Sequence, residues 1–140
     1  MTTYQLAVSL HVVTAILGLG QVAGIAVVAS SMSPQPSTDT GSWTALQRLA
    51  RGTTWSLLIL LLSGVLIEYA SGGAFHDAWW FRLSFLGLIA LGGIAARMGR
   101  ALRKRESVGH ERALKGVVRS SWIMCTMTAV IAVLMEVKPW

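Results

Sequence analysis

His11 is the residue in this sequence best suited to chemistry. It lies about two helical turns inside a long apolar stretch, and the chain carries no charged residue before Asp39. A polar ionisable group at such depth in a membrane is costly and normally faces a partner or a cavity. A neutral imidazole is also the commonest ligand of haem iron. Two roles therefore stay open: a cofactor ligand, or a structural histidine bonded to a serine or carbonyl of another helix.

The other histidines offer no obvious second ligand. His76 and His110 fall in predicted loops on opposite sides of the membrane, where we expect them to be solvated, so a bis-histidine cytochrome b site is not predicted. Met127 or Met135 on the last helix could supply a second axial ligand. The membrane role of most methionines is packing, and that alternative also stays open.

A set of charged residues shares the predicted outer half with His11, and its members are Glu68, Arg82, Glu136 and Lys138. Charges at this level should pair. Glu68 and Arg82 are the favoured pair, because only a short loop joins their helices. The set either lines an outward-facing polar pocket or forms ordinary interfacial ion pairs.

The composition indicates that these residues are positioned by membrane helices. The chain has 140 residues, of which 13% are charged and 54% apolar. A soluble chain of this size carries about a quarter charged residues. The basic residues, which give a pI near 10.5, are concentrated between two apolar stretches. They are therefore not spread over a surface that could bind nucleic acid, and no nucleic-acid partner is predicted.

Four apolar stretches are long enough to cross a bilayer as helices. We predict an all-α bundle of four transmembrane helices in one integral membrane domain covering 1–140. The predicted helices cover about 4–30, 53–70, 78–103 and 118–137, and a basic loop covers about 104–117.

Basic residues and tryptophans predict how the bundle is oriented. All but two of the basic residues border the first and third loops, which the positive-inside rule places in the cytoplasm. Both termini should then face away from the cytoplasm, and a bacterial plasma (inner) membrane is the expected location. The tryptophans lie near predicted helix ends, as in an interfacial belt: Trp43, Trp55, Trp79, Trp80, Trp122 and Trp140.

Small residues indicate how the helices pack. The segment 18–23 formally resembles a dinucleotide-binding fingerprint, but no strand precedes it. Gly20 and Gly24, with Gly92 and Gly93, are instead predicted to be close-packing faces. Cys125 cannot form an internal disulfide and is predicted to be a packing residue.

A run of basic residues with helical spacing follows the third span: Arg97, Arg100, Arg103, Lys104 and Arg105. It predicts either a lipid-facing segment that binds anionic headgroups or a determinant of topology alone. Glu111 and Lys115, spaced i and i+4, predict a short helical continuation before the last span.

Several short motifs resemble small four-helix membrane proteins of the HemJ and CopD type. They are Leu10-His11, the segment 48–52 (RLARG), the segment 79–83 (WWFRL) and the terminal VKPW of 137–140. HemJ-type proteins carry haem and are implicated in protoporphyrinogen oxidation, and CopD-type proteins are linked to copper. The resemblance implies that His11 is the haem or metal ligand. Arg82 stands where the HemJ pattern has a lysine; an arginine cannot relay a proton but can clamp a propionate.

Three functions are therefore expected. The first is a haem- or tetrapyrrole-associated membrane protein with His11 as ligand and Arg82 as a clamp for an anionic group. The second is a non-enzymatic accessory subunit that packs in a larger membrane complex or a homo-oligomer. The third is copper handling through His11 and nearby methionines.

Overall fold

The computed structural model of the chain describes residues 2–32, 40–75 and 77–137. They form four long helices and one short one. The helices are α1 (Thr3–Ser31), α2 (Thr40–Ala70), α3 (Trp79–Arg103), α4 (Arg105–Val108) and α5 (His110–Val137).

The four long helices are each long and apolar enough to cross a membrane, which confirms the predicted all-α membrane bundle. Each of them also presents large apolar side chains on its outer surface, for example Ile16, Leu62, Leu86 and Val133, which are 61% to 68% exposed. A water-soluble protein rarely exposes apolar surface on every side of its fold. This surface is the one that lipid tails would cover.

Local sequence explains several helix ends. The side chains and amides of Thr2 and Gln5 form a capping box, so α1 begins at Thr3. After Ala70, Gly72 and Gly73 adopt positive φ angles of 72° and 82°, and the amide of Gly73 donates to the carbonyl of Glu68. Glycine adopts such angles without strain and ends the helix.

Two helices are longer than the predicted spans. α2 begins at Thr40 and not near 53, and α5 begins at His110 and not near 118. The predicted basic loop at 104–117 is thus largely helical. Hydropathy marks only the apolar part of a helix, whereas charged turns continue the same backbone beyond it. The predicted helical continuation before the last span is confirmed, and within it Lys115 forms a 2.7 Å salt bridge with Glu111.

The long helices run alternately up and down, and each packs against two neighbours. α1 and α3 each contact α2 and α5, so α1 lies diagonal to α3. At the end of the bundle that carries the basic residues, the interior is a dense core containing Ile25, Leu46 and Leu102. The bundle is packed differently at its other end, where a cavity separates the helices.

The glycines that allow close helix contact are not those predicted from the sequence. A Cβ atom built on Gly24 would lie 3.7 Å from Leu49, in ordinary contact. A Cβ on Gly20, Gly92 or Gly93 would meet no atom of the described residues within 4 Å. These three glycines face away from the bundle, so helix periodicity alone did not show which face was inside.

The close approaches occur at glycines that the sequence did not single out. A Cβ atom on Gly18 would lie 3.2 Å from the Cβ of Ser56, and one on Gly52 would lie 2.8 Å from Nε2 of Gln21. Both positions join α1 to α2. On the opposite side of the bundle, Gly87 of α3 meets Ile131 of α5 in the same way, at 2.8 Å.

We predict that Gly18→Val destabilises the folded bundle by about 1–3 kcal/mol, because the branched side chain must push α1 from α2. Gly20→Val is the matched control, with the same change of helix propensity and open space around the new side chain. The measurement is unfolding of the detergent-solubilised protein by added sodium dodecyl sulfate, followed by circular dichroism. Equal loss of stability in the two variants would contradict the observed helix faces.

Candidate ligand cavity

A cavity of about 330 Å³ lies inside the bundle, at the end remote from the basic residues. All four long helices contribute to it. Val22, Leu91 and Met124 belong both to the cavity wall and to the dense core, so they form its floor. Most of its wall is apolar; its polar side chains are those of His11, Thr53, Ser56, Ser84 and Thr128. An apolar cavity of this volume with few polar groups is typical of a small-molecule site.

His11 is held in the wall of this cavity by a hydrogen bond to the neighbouring helix. Its Nδ1 lies 2.8 Å from Oγ of Ser63 on α2. The Ser63 hydroxyl donates in turn to the carbonyl oxygen of Leu60, at 3.1 Å. With the Ser63 hydroxyl donating to Leu60, its Oγ is placed to accept from Nδ1–H of His11. That pattern corresponds to the tautomer that carries its proton on Nδ1 and leaves Nε2 unprotonated.

Two small residues of α2, Ser63 and Gly64, lie beside the His11 imidazole. Ser63 is 2% exposed, and a Cβ atom on the next residue, Gly64, would lie 3.7 Å from Cε1 of His11. A larger side chain at Gly64 would therefore press against the ring. The expectation that a structural histidine bonds a serine across the bundle is confirmed, and the same bond leaves Nε2 available to a ligand.

Ser84 is the second polar feature of the cavity. It lies on α3, the helix diagonal to that of His11, and is 6% exposed. Its Oγ is buried, and no residue in the described part of the chain forms a hydrogen bond with it. A hydroxyl in a helix commonly bonds the carbonyl one turn back, as Thr53 and Thr128 do here. Ser84 is thus a buried donor inside a site large enough for a ligand.

Below His11, a polar pair ties α1 to α2. The Ser56 hydroxyl donates to Oε1 of Gln21 at 3.3 Å, and the amide of Gln21 lies against Gly52. Gln21 thus forms a hydrogen bond between the two helices. Such bonds contribute on average about 0.6 kcal/mol in a membrane. Their main effect is to fix the register of the two helices, and with it the height of His11.

One of the two candidate methionines shares the cavity with His11. Met135 of α5 lines the same cavity, and Met127 is absent from its lining and instead packs against the core. Cys125 is half-buried against the same core, in the packing role predicted for it.

Arg82 does not line the cavity, although its neighbour Phe81 does. The Arg82 side chain is 64% exposed and forms a salt bridge of 3.2 Å with Asp77. Asp77, and not the favoured Glu68, is the carboxylate within salt-bridge distance of Arg82 in the described part of the chain. The Glu68 carboxylate accepts from the backbone amide of Phe75, at 3.1 Å and 3.3 Å.

Of the remaining charged residues of the predicted outer cluster, the structure describes Glu136. Glu136 is exposed on the last turn of α5, next to the cavity residue Met135. It therefore lies at the same end of the bundle as His11. Lys138 and His76 lie outside the described residues.

His110 was expected to be solvated in a loop and is not. It begins α5 and is half-buried, with its ring edge-on to Trp43 at a centroid distance of 5.7 Å. Arg105 of the basic segment packs over the same indole, which the sequence did not predict. Its companions Arg97, Arg100, Arg103 and Lys104 are exposed.

Ser63 and Ser84 are the cavity residues that the sequence reasoning missed. Both look like ordinary small residues of membrane helices, and nothing in the local sequence separates a packing serine from a bonding one. The available signal was the spacing of small residues on α2, where Gly52, Ser56 and Ser63 recur at four and seven residues. That stripe predicts the face turned toward α1.

Comparison of the chain with protein-family models, with curated proteins and with solved structures found no match. The resemblance to HemJ- and CopD-type proteins therefore stays a prediction.

We predict that Ser63→Ala changes the tautomer of His11, because alanine cannot accept a hydrogen bond from Nδ1–H. In protein labelled with ¹⁵N-histidine, the His11 signals should shift from the Nδ1–H pattern toward a mixture of tautomers. His11→Gln assigns the signals. Ser84→Ala is the matched control and should leave the tautomer unchanged. An unaltered spectrum in Ser63→Ala would contradict the role given to Ser63.

Proposed function

We propose that this chain is a multi-pass membrane protein that binds haem or a related tetrapyrrole, with His11 as the axial ligand. The observation that carries the proposal is the His11 imidazole, which lines an apolar cavity and is held by a 2.8 Å contact between its Nδ1 and Oγ of Ser63. Histidines that ligate a metal usually donate their other ring N–H to a nearby acceptor, which fixes the ring orientation.

The available donor atoms fit haem better than a bare metal ion. The described residues contain no group of three or more His, Cys, Asp or Glu side chains that could hold a metal ion. Haem supplies four nitrogen donors of its own and needs only one or two from the protein. His11 meets that need alone, and Met135 is a second donor on the same cavity wall. Copper handling, by contrast, lacks an obvious ligand set here.

The rest of the cavity also suits a flat, apolar group. Phe81 and Phe85 contribute aromatic rings to the wall, and Gly64 leaves room beside the imidazole. The apolar lining excludes water from the ligand and from Nε2 of His11. Bound haem would supply a redox-active iron, and the residues named here would hold it and keep it dry. Protoporphyrinogen oxidation stays an expectation from the resemblance alone.

Arg82 is proposed as a surface clamp for an acidic group of the ligand. It lies outside the cavity lining but follows Phe81, which is part of it. A propionate reaching out of this end of the bundle would meet a guanidinium suited to bidentate binding. Its salt bridge with Asp77 is exposed, and exposed pairs are weak, typically below about 1 kcal/mol. Exchange of partners would therefore cost little.

A second candidate is a non-enzymatic accessory subunit of a larger membrane complex or a homo-oligomer. It is favoured by Gly20, Gly92 and Gly93, which face outward with open space beyond them. Small residues on an outer face allow another membrane helix to approach closely. Colourless protein that purifies with a fixed partner would favour this function over haem binding.

The proposed location is a bacterial plasma (inner) membrane with the basic end of the bundle in the cytoplasm. The support is the concentration of arginine and lysine around 97–119 and at 48–51. Both termini then lie outside the cytoplasm, and the cavity opens toward the outer half of the membrane.

We predict that His11→Ala abolishes haem binding. Protein produced with added haem precursor and purified in detergent should show a Soret band for the wild type and none above background for His11→Ala. His110→Ala is the matched control, because His110 lies on Trp43 at the far end of the bundle, and it should keep the band. A Soret band of equal intensity in His11→Ala would contradict the proposal.

A further inference from the structure

A second group of residues that could bind a ligand lies at the basic end of the bundle, remote from the cavity. The guanidinium of Arg105 lies 5.3 Å from the ring centroid of Trp43. Trp43 is 7% exposed and belongs to the dense core. The ring of His110 meets the same indole edge-on, with an interplanar angle of 77°. A cation from α4 and the first residue of α5 thus converge on one buried aromatic ring.

Arg105 has a buried hydrogen-bond donor that the described residues leave unsatisfied. Its Nε is shielded from solvent and forms no hydrogen bond in the described part of the chain. An arginine keeps its charge in any protein environment, so it cannot relieve burial by losing a proton. The face of an indole attracts the charge but accepts few hydrogen bonds. Arg105 thus keeps a positive charge at this end of the bundle with one donor unsatisfied, which favours an anionic ligand with oxygen acceptors.

The surrounding chain does not supply that anion among the described residues. The carboxylate of Glu111 is taken up by Lys115, at 2.7 Å. Glu106 is exposed on α4, and the salt bridges found in 2–32, 40–75 and 77–137 do not join it to Arg105.

The other features of this end attract negative charge. Arg103, Lys104 and Arg112 are exposed around Arg105 in the sequence. The start of α5 at His110 adds the positive end of a long helix dipole to this end of the bundle.

We propose that Arg105, Trp43 and His110 form a binding site for the phosphate of an anionic phospholipid headgroup. A lipid is favoured over a free anion because the site lies at one end of a bundle whose outer surface is apolar on all four long helices. A lipid bound there can place its acyl chains on that surface and its phosphate on the planar fork of Arg105. The site does not depend on what occupies the His11 cavity.

The test measures lipid binding to the full chain in detergent by native mass spectrometry. The probe is phosphatidylglycerol, and zwitterionic phosphatidylcholine with the same acyl chains is the comparison. Arg105→Gln should weaken phosphatidylglycerol binding by about tenfold or more. Arg103→Gln removes the same charge from an exposed position and should weaken it at most about fivefold, as expected for one cation near the surface. Circular dichroism shows whether each variant keeps its helices.

Arg105→Lys distinguishes a site that requires the guanidinium group from general electrostatic attraction between basic residues and anionic lipid. Lysine keeps the charge and a cation over Trp43 but loses Nε and the planar fork. The proposal expects binding to fall nearly as far as in Arg105→Gln. Wild-type affinity in Arg105→Lys, or equal losses in the Arg105→Gln and Arg103→Gln variants, would overturn it. Displacement of the lipid by millimolar inorganic phosphate would overturn the choice of a lipid as the ligand.

Discussion

The structure depends on one constraint, which is that polar groups inside a bilayer must find partners within the protein. Water cannot solvate His11 or Gln21 at their depth, so each bonds a serine of α2. These two bonds, with the close approach of Gly18 to Ser56, fix how α1 and α2 lie against each other. The position and tautomer of the imidazole follow from that register.

The bundle divides into two halves with different physical character. Near the basic end, small and large apolar side chains interdigitate, and Trp43 and Leu46 are buried. Toward the other end the helices enclose about 330 Å³ of mostly apolar space. The imidazole of His11 and the buried hydroxyl of Ser84 lie in the wall of this space.

Much of the fold could be predicted from the sequence, because apolar length and the absence of charge decide which segments span lipid. The loop at 71–78 and the Glu111–Lys115 pair were also predictable, since they depend on neighbours in the chain. The helix ends were harder to predict, because charged turns extend α2 and α5 beyond their apolar parts. The orientation in the membrane stays a prediction.

The site was predictable only in part. His11 could be singled out because an imidazole is conspicuous in an uncharged span. Its partner Ser63 and the unbonded Ser84 could not, since contacts between helices depend on how each helix is rotated. The same reason explains why Gly20 faces outward and Arg105 packs inward, opposite to what the sequence predicted.

The central claim is that the cavity takes a haem-sized ligand onto Nε2 of His11. Its most direct test is titration of the purified wild-type protein with hemin in detergent, followed by absorbance. We expect saturation at one hemin per chain, with a red-shifted Soret band typical of nitrogen ligation. Hemin that partitions without saturation, as it does into empty detergent micelles, would contradict the claim.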